Sequence, residues 1–303
     1  MKVIAPAYYR NFACIASACR HSCCIGWEVD IDDESAERYA EMRHPYASAI
    51  RDSIEGEPPH FGLSEGERCP HLDASGLCRI ITECGEEALC QICTDHPRYR
   101  NFYDGVLEIG LGLSCEEAAR LVLESEGGFL VSDSEDMSGA EYRESYPTDL
   151  FSEEDIGIVE QKASLISLVS DSRKTIEERI ESLLPKRPNF DEIKALYLSL
   201  DILDVEWENR IKTLSAEDFN HKINAFSIMI ERTLCALIYR HASGESFYEP
   251  RTVGAFAALS AMLVAALSKS TEDFPDTLRA YSAEVEYSTE NTERILDFLE
   301  EFI

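Results

Sequence analysis

Apolar and polar residues alternate differently in the two parts of this chain. From residue 152 onward the apolar positions recur at three- and four-residue intervals, the period of helices with one buried face. Ser152, followed by Glu153, Glu154 and Asp155, marks a helix start, and Ile156, Val159, Ile166 and Val169 continue at helical spacing. Asn189 with Glu192 has the form of a capping box ahead of Ile193, Leu196 and Leu200. Ser215 with Asp218 opens a long segment in which Phe219, Ile223, Phe226, Ile230, Leu234 and Leu237 share a face, and Gly244 ends it. Val253 to Leu267 is apolar all round and rich in alanine, slightly short for a bilayer span, and reads as a central core helix. Two further helices fit Pro275–Glu284 and Thr289–Phe302.

The first part is less regular. Trp27, Val29 and Ile31 alternate with Glu28 and Asp30 as in a short strand, and Asp33 is placed to cap a helix carrying Ala36, Tyr39 and Met42. A Gly/Ser/acid-rich run from Glu124 to Gly139 reads as a loop or linker. The expected fold is mainly α, an irregular cysteine-rich metal-binding N-terminal module followed by a helical bundle. The expected divisions are 1–125 for the cysteine-rich part, 126–150 for an acidic linker and 151–303 for the helices.

Composition sharpens this picture. Of 303 residues 45% are hydrophobic, enough for a core, and 58 acidic residues against 28 basic ones leave a net charge of −30. So negative a surface repels phosphate backbones and anionic lipid, which disfavours nucleic acid and membrane surfaces and suits a cationic, lysine-bearing protein partner. The N-terminal residues lack a secretory layout, so a cytoplasmic location is expected, where thiols stay reduced. Ten of the eleven cysteines lie at or before Cys115, and only Cys235 follows, on an apolar helical face where it reads as a small buried hydrophobe. In a reducing compartment such crowding points to metal ligands or reactive thiols rather than disulfides.

The cysteines form groups. Cys14, Cys19, Cys23 and Cys24 fall within eleven residues. Cys69 and Cys78 flank Asp73-Ala-Ser-Gly76, a turn that would bring the two thiols together in a hairpin. Cys84 precedes a CxxC pair, Cys90 and Cys93. Cys115 lies between Ser114 and Glu117, a capping-box pair, as the first residue of a helix, where free N–H groups and the dipole favour a thiolate. One CxxC with otherwise irregular spacings fits a thiolate-bound iron–sulfur cluster at least as well as structural zinc. His21, His71 and His96 each lie within three residues of a cysteine, which leaves mixed ligation open. Trp27, beside the double cysteine, either shields the centre from water or packs as an ordinary core residue. No glycine-rich dinucleotide loop or P-loop occurs, and the radical-chemistry signature CxxxCxxC is incomplete, since Gly26 stands where its third cysteine would be.

At these residues the chain resembles the flagellin lysine-N-methylase family, within the wider group of cysteine-rich zinc- or iron-chelating proteins. The matching stretches are Phe12-Ala-Cys14, Cys19, Cys23-Cys24-Ile-Gly26-Trp27, Cys69-Pro-His-Leu-Asp, Leu77-Cys78-Arg-Ile, Gly85-Glu86-Glu87, Cys93, Pro97-Arg98, Asn101, and Leu113-Ser-Cys115-Glu-Glu-Ala-Ala-Arg120. They run in the family's order across about residues 10–123. The resemblance implies methyl transfer from S-adenosylmethionine to lysine amines of a protein, flagellin or similar, with a [4Fe–4S] cluster, zinc being the alternative metal. It implies Cys14, Cys19, Cys23, Cys24, Cys69, Cys78, Cys93 and Cys115 as metal ligands. Arg98 and Arg120 are the candidates to hold a cofactor carboxylate or neutralise the cluster. The chain departs from the family at His96, usually tyrosine, at Glu116, usually proline, and at Cys84, usually apolar and so left out of the ligand set. Its helical half is also shorter than in many members.

Overall fold

The computed structural model describes residues 1–125, 131–132, 142–143, 146–244, 246 and 248–303. Among the described residues helices make up 56%, so the fold is mainly α, as the periodicity indicates. Most of the acidic linker expected over 126–150 lies outside the described residues.

The chain divides into two compact units: Met1–Phe12 with Tyr99–Ser114 and Ala118–Ile303, and Ala13–Arg98 with Cys115–Glu117. These boundaries fall differently from the sequence divisions because strand pairing gathers distant segments. Lys2–Pro6 lies parallel to Val106–Leu111, with Ile4 opposite Glu108, and antiparallel to Val131–Ser132. Val106–Leu111 in turn neighbours Arg98–Tyr103 across an Asp104-Gly105 turn, where Gly105 takes φ +77°.

The larger unit is built on the helix Pro250–Leu267, in which every residue except Arg251 is buried. It is long and apolar enough to pass as a membrane span, yet 94% of it is buried within the protein. Its helical neighbours include Ile156–Val169, Ile176–Leu183, Ala216–His221, Ser227–His241, Phe274–Tyr281 and Thr289–Leu299. Small residues allow these close approaches: a Cβ added at Gly254 would meet Leu183 at 3.2 Å and Leu165 at 3.3 Å. Cys235 is buried on Ser227–His241 as expected, and burial first of all pushes its thiol up to about 12.

The capping box at Asn189 and Glu192 is present in both directions, at 3.0 and 2.9 Å. A second box, at Thr175 and Glu178, was not read from the sequence although its T-x-x-E spacing is there. The long helix expected after Ser215 is interrupted. Ala216–His221 is followed by a 3-10 turn at Ile223–Phe226 before Ser227–His241 resumes. The apolar face survives the break, with Phe219, Ile223, Phe226, Ile230, Leu234 and Leu237 all buried. The three-residue step from Ile223 to Phe226 suits the tighter turn. Other ends shift by a few residues. The helix expected from Ser152 starts at Ile156, the one expected to reach Glu284 ends at Tyr281 in a π-helical turn over Ser282–Glu286, and the last ends at Leu299.

The larger unit also holds an ion pair that no sequence pattern signalled. Lys162 and Glu108 are both fully buried, 2.6 Å apart, with Asn101 also donating to Glu108. The Tyr239 ring lies 4.9 Å from the Lys162 ammonium.

Candidate metal centre

All cysteines except Cys235 fall in the smaller unit. Its core is Val29, Ile31, Tyr39, Tyr46, Ile50, Phe61, Ile80 and Ala88, together with buried Cys69 and Cys90. Cys24, Cys78, Cys84 and Cys93 pack half-buried against it. Three two-residue strands, Val29–Asp30, Ile54–Glu55 and His60–Phe61, form its sheet with the last in the middle. The helix Asp33–Glu41 is capped one residue earlier than expected: Asp32, not Asp33, accepts from the Ser35 N–H at 2.8 Å. The other Asp32 oxygen accepts from the Gln91 N–H at 2.9 Å, tying this helix to the start of the CxxC helix Gln91–Asp95.

The double cysteine is pinned by backbone bonds. Cys69 N–H donates to the Cys24 carbonyl at 2.8 Å, and Gly26 N–H, at φ +91°, donates to the Glu67 carbonyl at 2.9 Å. The Trp27 indole N–H donates to the Cys23 carbonyl, and its ring meets His96 edge-on at 5.7 Å. Trp27 therefore fastens the loop. The hairpin expected between Cys69 and Cys78 is formed. Leu72 bridges Cys78, and one Asp73 carboxylate oxygen accepts from the Ser75 N–H and hydroxyl and the Leu77 N–H at 2.7–2.9 Å. Gly76, at φ +81°, completes that turn.

In two thiol pairs one member stabilises the thiolate of the other. Interaction with Cys23 lowers Cys24 to about 7 against the effect of burial, helped by the Ser22 hydroxyl and the Arg68 charge, and raises Cys23. The Cys90–Cys93 pair behaves likewise, with Cys90 lowered to about 7 and Cys93 raised. Burial raises Cys69 to about 11 and raises Cys78 as well. Mutual repulsion marks out the neighbourhoods. Cys24 acts on Cys69, Cys78 and Cys93, and Cys90 acts on Cys69 and Cys78. Cys14 acts on both Cys19 and Cys23, and Cys115 acts on Cys23. By these electrostatic effects Cys24, Cys69, Cys78, Cys90 and Cys93 form an inner set and Cys14, Cys19, Cys23 and Cys115 an outer one, with Cys23 linking the two through its effect on Cys93. The inner set includes Cys90, which the family resemblance left aside.

Among the described residues no three His, Cys, Asp or Glu side chains form a ready-made metal cage. The fit to a soft metal is one of donor chemistry and neighbourhood: thiols repel one another as their protons leave, and a cation relieves that repulsion.

The remaining candidates are placed as follows. Cys84 lies 3.3 Å from His44 Nδ1, apart from both sets of mutually acting thiols. His71 is buried with its ring nitrogens on the Tyr46 hydroxyl and Ser53 Oγ, both at 2.9 Å, and burial lowers it to about 4. It is a hydrogen-bonded core histidine. Burial lowers His96 to about 4 also. His21 contacts Glu116 at 3.0 Å. Arg98 lies in the cysteine-bearing unit and donates to the Thr94 carbonyl at 3.4 Å, while Arg120 lies in the other unit and pairs with Glu124 one turn along its helix. That helix, Glu116–Glu124, starts one residue later than expected, so Cys115 precedes it rather than opening it.

The structure thus defines a mainly helical protein in which ten of the eleven cysteines fall in one compact unit. By sequence, the chain is related over part of its length to the lysine-N-methylases. It is 28% identical over 139 residues to the lysine-N-methylase of Salmonella typhimurium, covering 43% of this chain and 35% of that protein, with the same figures for the lysine-N-methylase of Salmonella choleraesuis. It is also 28% identical over 144 residues to the flagellar biosynthetic protein FliU of Salmonella muenchen, covering 45% of this chain and 85% of FliU. The chain therefore spans about a third of the length of the lysine-N-methylases it matches. No protein-family model matches the chain, and no solved structure does.

Proposed function

We propose that this protein methylates lysine side chains of a protein substrate, flagellin or a similar one, using S-adenosylmethionine and a [4Fe–4S] cluster held by its thiols. The observation that carries the reading is the gathering of ten cysteines in one compact unit of a chain similar over part of its length to lysine-N-methylases. Of the expected ligands, Cys24, Cys69, Cys78 and Cys93 belong to the inner set, and Cys14, Cys19, Cys23 and Cys115 to the outer one. When bound, the cluster would supply a Lewis-acidic iron to which the amino and carboxylate groups of the methyl donor can be anchored. The net charge of −30 draws a lysine-rich partner by long-range attraction. In the transfer, the lysine nitrogen forms a bond to the methyl carbon as the carbon–sulfur bond breaks. The attacking amine must first be neutral, its proton lost to a base or to solvent, and must lie in line with the bond that breaks. Arg98, in the unit that carries the thiols, is the guanidinium group proposed for the donor's carboxylate, and Arg120 belongs to the other unit.

The test is anaerobic purification of the full chain, iron and sulfide analysis, and incubation with S-adenosylmethionine and flagellin. Mass shifts of 14 Da per methyl on flagellin lysines support the proposal, and iron-loaded protein that leaves flagellin unmodified rejects it. A second reading, a zinc- or iron-chelating protein without methyl transfer, is favoured by the coverage, since about two-thirds of each matched lysine-N-methylase has no counterpart in the match. Stoichiometric zinc in colourless protein would support it.

A further inference from the structure

Glu116 joins two stretches of the cysteine unit that are far apart in sequence. One carboxylate oxygen accepts from the Arg20 N–H at 2.9 Å, meets His21 Nδ1 at 3.0 Å and lies 3.8 Å from Cys19 Sγ. The other accepts from Arg20 Nε–H at 3.0 Å. Three consecutive residues, Cys19, Arg20 and His21, thus close on a single carboxylate 95–97 positions later, and its side chain is 16% exposed. The residue directly before Glu116 is Cys115, whose thiol acts electrostatically on Cys23. Such a bidentate, charge-assisted contact fixes both position and orientation.

We infer that Glu116 is a positioning residue, a clasp whose grip on Cys19-Arg20-His21 holds Cys115 among Cys14, Cys19 and Cys23 so that the outer thiols act as one donor set. The inference rests on the metal-binding reading above, although the contacts of the clasp are made by the protein's own groups. The carboxylate engages groups flanking the thiols and orients them, as partners behind metal ligands do. A chain segment returning from sequence-distant residues would otherwise need the metal itself to recruit Cys115, at the cost of ordering that segment on binding.

The experiment compares wild type with Glu116→Ala and Glu116→Gln in two measurements. In metal-free, fully reduced protein, diamide oxidation followed by peptide mapping reports the yield of the Cys23–Cys115 disulfide. In iron-reconstituted anaerobic protein, competition with a chelator reports metal retention alongside the visible absorbance. Glu116→Ala is expected to lower the crosslink yield several-fold and weaken metal retention by about 10–100-fold. Glu116→Gln, which keeps the shape and one acceptor oxygen, is expected to fall between, and it answers the question should the alanine variant fold poorly. A crosslink yield unchanged in both variants overturns the clasp, and so does unchanged metal retention. Should wild-type protein take up neither iron nor zinc, the metal reading fails, and the crosslink measurement alone decides the clasp.

Discussion

The paired thiols make a quantitative prediction about reactivity at neutral pH. The Cys24 thiol is held below the ordinary thiol range first by its neighbour Cys23 and then by the Ser22 hydroxyl and the Arg68 charge, against the effect of burial. Each pK step downward raises the thiolate fraction at pH 7 by up to about tenfold. A less basic thiolate is a poorer nucleophile, and a Brønsted slope of 0.4–0.5 removes about threefold per step. The net expectation is alkylation of Cys24 about threefold faster per pK step than an ordinary thiol of equal access, in reduced protein. The stronger signature is the pH profile. The rate should level off at a lower pH than for an ordinary thiol, and Cys23→Ala should move that midpoint upward by removing the principal partner while leaving Ser22 and Arg68 in place. Iodoacetamide labelling from pH 5.5 to 9.5, quantified per cysteine by mass spectrometry, measures this directly. A wild-type midpoint at or above 8.5, or a midpoint unmoved in Cys23→Ala, would refute the argument. Under the proposed function the same lowering would ease metal capture, because a thiol must shed its proton to become a ligand.

Three further outcomes are expected. Lys162→Met should destabilise the fold by about 3–5 kcal/mol in chemical denaturation, because it strands the Glu108 carboxylate in the interior. Glu108→Met with Lys162→Met should recover most of that loss, and equal losses for the single and double variants would contradict it. Glu286 is held at about 2: burial opposes its ionisation, but the Arg240 charge and the His241 hydrogen bond prevail. Its folded value lies below its unfolded one, so its contribution of about 3 kcal/mol is complete above pH ~4.5 and lost as pH falls toward 2. The stability gap between wild type and Glu286→Gln should close over that window. Asn189→Ala should cost about 1 kcal/mol, read from the thermal midpoint, because it removes one half of the observed capping box.

Local chemistry made much of this protein legible from its residues alone. The box at Asn189 and Glu192, the Asp73–Gly76 turn between Cys69 and Cys78, and the buried face from Phe219 to Leu237 all follow from interactions within a few positions. The core helix around Val253–Leu267 was legible for the same reason, its composition leaving no polar side to face water. The Arg98–Leu111 hairpin carries the same kind of local signal in its Asp104-Gly105 turn. What spacing could not assign was partnership across long separations. Which thiols share a neighbourhood, the place of Cys90 in the inner set, the hold of Glu116 on Cys19 to His21, and the burial of Glu108 against Lys162 depend on how distant segments pack. The parallel pairing of Lys2–Pro6 with Val106–Leu111 is of the same kind. Short-range preferences act on a residue through its immediate neighbours, whereas a carboxylate or thiolate acquires its ionisation and its partners only when tertiary packing has removed the water around it.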